Sequence, residues 1–140
     1  MTELEKEIVL LRGEALEGRI PKTKATERLG ELYACKVLKL ETVHPGTKGF
    51  DATDESGMRY QVKSRSPSLP VGSVDPAGRI GVLHTFDFDH ALLVCLDGQL
   101  NLDRIWQLDC EAVKVLQEKE RTRGIHVSSF TKHARGIFPN

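Results

Sequence analysis

Long apolar runs are missing from this 140-residue chain. No window approaches the roughly 18 apolar residues that a membrane-spanning helix requires, so a membrane partner is not expected. The opening stretch MTELEKEIVLLRGEALEGR is charged throughout, without the apolar block of a secretory signal. Cysteine is scarce too: Cys35, Cys95 and Cys110 are the three, and no CxxC pair occurs. An odd, unpatterned set of thiols argues against a disulfide framework or a structural zinc site and fits a reducing, cytoplasmic setting. Repeats and low-complexity tracts are absent. What is present suits one globular domain: 39% apolar and 29% charged residues can bury a core at this length.

The net charge of zero conceals an asymmetry. Residues 56–84 carry Arg59, Lys63, Arg65 and Arg79 against Asp75, and residues 114–140 carry six Lys/Arg against two Glu. The remainder of the chain must therefore be acidic. Such a distribution allows a basic surface for nucleic acid and an acidic one for a metal ion, although solvated surface charge explains it as simply.

Residues 3–18 place Leu4, Ile8, Leu11, Ala15 and Leu16 at helical steps, stopped by Gly18 and Pro21. A second helix is expected from Thr26 to Leu40, with Thr23 or Thr26 as N-cap. After the turn-rich TVHPGTKG, residues 49–54 and 58–64 read as two strands around Glu55-Ser56-Gly57. Residues 64–79 (SRSPSLPVGSVDPAGR) form a long Ser- and Pro-rich loop, a length that is usually functional or disordered. Asp89–Leu96 is the pattern of a buried central strand. Arg104–Leu108 is its expected neighbour. A helix over 109–120 should be capped by Asp109, with Ala112, Val113 and Leu116 inside, and residues 125–130 should form a last strand before a basic tail. The expected class is α/β (α+β), a mixed central sheet flanked by helices.

Weaker signals have plain explanations. In HTFDFDH (His84–His90) the candidate ligands would diverge along an extended chain, so strand entry is the simpler reading. Gly78-Arg79-Ile80-Gly81 matches the GxxG of RNA-binding KH modules, but it follows Pro76 and leads into an extended run. Cys35 and Cys95 read as core, and Trp106 as a packing residue. Ser128, Ser129 and the histidines show no nucleophile–base spacing.

The hairpin concentrates chemistry. If Asp54 pairs with Met58, then Asp51 lies opposite Gln61. Strand alternation puts Met58, Tyr60 and Val62 on an apolar face and Arg59, Gln61 and Lys63 on the other. Asp51, Gln61 and Lys63 then converge, with opposed Cβ atoms about 5 Å apart. Glu31 shares a helical side with Ala34, Cys35 and Leu38, where a lone carboxylate needs a partner or a metal. Glu27, one turn earlier, is its rival.

Glu31, GFDAT (Gly49–Thr53) and YQVKSR (Tyr60–Arg65) together resemble the PD-(D/E)XK, or restriction-endonuclease-like, nuclease superfamily, in its small bacterial members. That family combines a helix glutamate, a strand aspartate and a following strand ending in (D/E)xK. The resemblance implies a restriction-endonuclease-like core that cleaves nucleic-acid phosphodiesters with Mg²⁺ or Mn²⁺. Asp51 matches the metal-binding aspartate, Gln61 the acidic position, Lys63 the catalytic lysine and Glu31 the helix glutamate. Asp51, Gln61, the Val62 carbonyl and Glu31 would then hold the metal, and Arg59, Arg65 and Arg79 would contact nucleic acid, DNA ahead of RNA. The resemblance also implies a homodimer, with the N-terminal helix as the contact. Within a single domain, 1–140, it divides the chain into an N-terminal helix (1–20), a nuclease-like core (23–110) and a C-terminal helix, strand and basic tail (111–140). Gln61 departs from the usual Asp or Glu, and no proline precedes Asp51. The alternative is a catalytically weak or inactive nuclease-fold module that binds nucleic acid or a protein partner.

Overall fold

A computed structural model describes residues 1–43, 49–67, 79–80, 85–120 and 124–139, with only the backbone of Arg79. Helix α1 (Glu3–Leu16) starts in a capping box: Glu5 N–H donates to Thr2 Oγ1, and Thr2 N–H to Glu5 Oε1, both at 3.1 Å. Its Ile8 and Ala15 are buried, and Leu4 and Leu11 pack beside them. Helix α2 (Lys22–Leu38) begins earlier than its hydroxyls suggested. Neither Thr23 nor Thr26 caps it; Pro21, extended at φ −61° and ψ 135°, is the N-cap, and Thr26 is buried inside the helix. A proline needs no N–H partner at a helix start, so the residue expected to end one helix also opens the next. Lys39, in the left-handed region at φ 57°, ends α2.

Six strands form a mixed sheet in the order β1 (Glu41–Thr42), β2 (Ala52–Thr53), β3 (Arg59–Arg65), β5 (His90–Leu96), β6 (Leu102–Asp109), β8 (Arg135–Phe138). The β3–β5 pair is parallel and the other neighbours are antiparallel. Outside this sheet, β4 (Arg79–Ile80) pairs with β7 (Ile125–His126). The molecule is α+β, its sheet flanked by helices. Most of the 64–79 loop, residues 68–78, lies outside the described residues, as does His84. The Arg79–Ile80 step belongs to a strand rather than a loop between helices.

Alternation along β5 divides the interior in two. Leu92, Val94 and Leu96 join Tyr60, Val62 and Ile105 under α1 and α2. Ala91 and Leu93 join Leu108 and Phe88 on the opposite face. Covering that second face are Val113 and Leu116 of α3 (Cys110–Glu120), Ile80, Ile125 and Phe130 of α4 (Val127–His133). The Asp109 cap is present, its Oδ1 accepting from Ala112 N–H at 2.9 Å. The expected strand over 125–130 is corrected: only Ile125–His126 is extended, and a helix follows. Val127, Phe130 and Ala134 pack into the second core, a helical spacing that the β-branched start of the segment disguised. No helix among the described residues is long and apolar enough to cross a membrane.

Candidate active site

The β2–β3 turn fixes the register on which the site depends. The Asp54 carboxylate accepts from Ser56 N–H (2.9 Å), Ser56 Oγ (2.7 Å) and Met58 N–H (3.0 Å). Gly57 takes φ +87°, which a side chain would resist. The resulting pairs, Ala52 with Tyr60 and Thr53 with Arg59, put Asp51 opposite Gln61.

The ladder stops at Asp51. Its N–H donates to Tyr60 O at 2.8 Å, and its Oδ2 then takes the place of the next main-chain acceptor, receiving Val62 N–H at 2.8 Å. A residue's N–H and C=O leave a strand on the same side, so the Val62 carbonyl also points toward the Asp51 side. The Gln61 Nε2 donates to the same Asp51 Oδ2 at 3.0 Å. Lys63 follows Gln61 by strand alternation, the two standing beside Ala91 and Leu93 in register. These are residues of the second core, the face that α3 and α4 cover.

Electrostatics tie α2 to this point. Burial raises the Asp51 carboxyl above its ordinary value, opposed by the Val62 N–H and the positive charge of Lys63. Glu31, half-buried, is also raised, first by burial and next by the negative charge of Asp51. Glu27 is exposed, whereas Glu31 is half-buried and is the helix carboxyl whose charge Asp51 disfavours. The Asp51 and Glu31 carboxyls, with the Gln61 amide and the Val62 carbonyl, offer hard oxygen donors. That chemistry fits Mg²⁺. Among the described residues no group of three His, Cys, Asp or Glu is gathered for a metal, so the amide and carbonyl would have to complete the set.

The three arginines are placed differently. Arg59 is clamped: Asp89 Oδ2 accepts its N–H at 2.8 Å and its Nε at 3.3 Å, and the guanidinium lies over Phe50 at 5.9 Å. Arg65 is half-buried beside Cys95 in register, and its Nη1 donates to Ser64 O at 2.7 Å. Burial lowers its pKa. The Arg79 side chain lies outside the described residues. A surface hollow beside the far end of the hairpin, lined by Leu38, Lys39, Thr53 and Asp54, contains none of the Asp51 group.

Sequence reasoning missed two contributors. Asp89 ties β5 to β3, its own N–H donating to Arg59 O at 2.9 Å; the acid at the mouth of an apolar run was the available signal. Gly30 lets α2 descend onto Ser64 of β3, and a glycine inside a predicted helix was the clue. Cys35, Cys95 and Cys110 are free thiols. No protein-family model matches the chain, and no curated protein matches it.

Proposed function

We propose that the chain is a metal-dependent, endonuclease-like domain of the PD-(D/E)XK kind that hydrolyses nucleic-acid phosphodiester bonds, DNA ahead of RNA. The observation that carries the reading is the meeting of Asp51, Gln61 and Lys63 on adjacent antiparallel strands; the charge of Asp51 also raises the half-buried Glu31 carboxyl of α2. Asp51, Glu31, the Val62 carbonyl and the Gln61 amide oxygen would hold Mg²⁺. When bound, the ion supplies positive charge that acidifies water and offsets charge on the phosphate. Lys63 orients the attacking water and neutralises charge developing on the phosphate oxygens. Exposed Lys114 of α3, which pairs with Glu111 at 3.3 Å, and exposed Lys132 of α4, on helices that cover the same sheet face, would supply positive charge for the flanking phosphates.

A second reading, a nuclease-fold module that binds without cutting, is favoured by two hydrogen bonds: Asp51 Oδ2 is already engaged by Gln61 and Val62. Plasmid nicking with Mn²⁺ separates the two readings. Wild type should nick, and Lys63→Met should lose nicking by about 100-fold or more while keeping its calorimetric Mn²⁺ affinity, because a charge and not a ligand is removed. No cleavage of plasmid or of RNA by wild type favours the non-cutting module; nicking by wild type with loss of Mn²⁺ binding in Lys63→Met would instead assign Lys63 to holding the metal site together.

A further inference from the structure

Gln61 is the position at which the chain departs from the (D/E)xK pattern, and its geometry bears on how the site fills. Its amide nitrogen and the Val62 N–H converge on one oxygen, Asp51 Oδ2, at 3.0 and 2.8 Å. An ionised carboxylate can only accept hydrogen bonds, so the amide group beside it has to be the NH2. The amide oxygen is then on the other arm of the same planar group, turned away from Asp51. A cation shared by Asp51 and Gln61 needs both oxygens directed at one point. The amide must rotate and give up its bond to Asp51 before that can happen.

Resting on the nuclease reading, we infer that Gln61 is a latch: its amide NH2 takes the Asp51 oxygen that a cation would take, and cation uptake must displace it. A carboxylate at this position would repel Asp51 and thereby favour a cation. The amide does the reverse, satisfying Asp51 and competing with the ion. Cation occupancy is therefore low until a phosphate-bearing strand adds its own oxygens to the site.

Two variants distinguish a latch from a ligand without any activity measurement. Gln61→Met keeps the length of the side chain but has neither the NH2 nor the oxygen. Freeing Asp51 from a hydrogen bond to a charged group should tighten calorimetric Mn²⁺ binding by about 3- to 10-fold over wild type, without nucleic acid. Gln61→Glu sets a second carboxylate against Asp51. Its melting temperature without metal should fall by roughly 3 °C or more, and Mn²⁺ should restore it. Mn²⁺ binding by Gln61→Met equal to or weaker than that of wild type would mean that the amide oxygen contributes as a ligand at least as much as its NH2 competes, and would overturn the latch while leaving the nuclease reading intact. Failure of all three proteins, Gln61→Glu included, to bind Mn²⁺ would instead overturn the nuclease reading and the latch with it.

Discussion

Gly30 shows how one missing side chain positions a catalytic candidate. A Cβ built there would lie 1.7 Å from Ser64 Oγ and 2.8 Å from Ser64 Cβ, so α2 rests on β3 at a distance only glycine permits. Glu31 is the next residue, so that depth of packing also positions its half-buried carboxyl. For Gly30→Ala two effects compete. Helix propensity favours alanine by about 1 kcal/mol, and overpacking costs about 1–3 kcal/mol. The nearest obstructing carbon is Ser64 Cβ, held by the strand backbone, so the clash should prevail and urea unfolding should register a net loss. Adding Ser64→Gly removes both contacts and leaves Val94 Cβ at an ordinary 3.7 Å. The double variant should therefore recover stability relative to the sum of the single changes. Additive losses would mean that the two sites do not interact as described. Gly49 plays a related part: at φ +90° it brings the chain against Asp87 two residues before Asp51.

At the scale of elements, side chains do the work of main-chain ladders where strands run out. Asp54 closes the β2–β3 turn, Asp51 caps Val62 at the end of the same ladder, and Asp89 joins the starts of β3 and β5. The second sheet face is closed in the same way at Glu120, the last residue of α3. Its Oε2 accepts His126 N–H at 3.1 Å and meets His126 Nδ1. A hydrogen bond from the Ser129 side chain, followed by the His126 contacts, lowers the Glu120 carboxyl to about 2 from 4.5. A carboxyl lowered by folding stabilises the native state above its unfolded value, and that contribution is lost as pH falls through the folded one. Glu120→Gln should therefore be less stable than wild type at pH 6, with the gap closing between about 4.5 and 2. Urea unfolding of both proteins across this range measures it, and a gap that persists undiminished near pH 2 would contradict the assignment. Ser129 thus serves Glu120, which accounts for these residues without a nucleophile–base pair.

The whole molecule is a sheet with two differently constituted faces. Helices α1 and α2 seal one with an apolar core, while α3, α4 and the β4–β7 pair cover the other, on which Gln61 and Lys63 stand at the β3 side. With the β3 side of this face and the outer surface of α3 and α4 binding a polyanion, affinity should fall with salt. About four neutralised phosphates correspond to a slope near −3 to −4 in log affinity against log salt, and Lys114→Ala or Lys132→Ala should each reduce it by about one. Fluorescence anisotropy with a labelled duplex reads this directly; a flat salt dependence would exclude a phosphate-binding face. The Asp51–Gln61 register was legible because a three-residue turn ending in glycine and the period of two are local properties, fixed by neighbours in sequence. The buried runs of β5, β6 and α3 were legible because their periodicity is also local. Other features depend on residues far apart in the chain. The sequence could not separate Glu31 from Glu27, because tertiary packing is what leaves Glu27 exposed and half-buries Glu31. It did not disclose that Arg59 is committed to Asp89, thirty positions away, or that a β-branched start at 125–127 turns helical once Phe130 has a core to enter. Residue types and their spacing determined which groups could meet Asp51; tertiary packing decided which do, because burial and charge act through space.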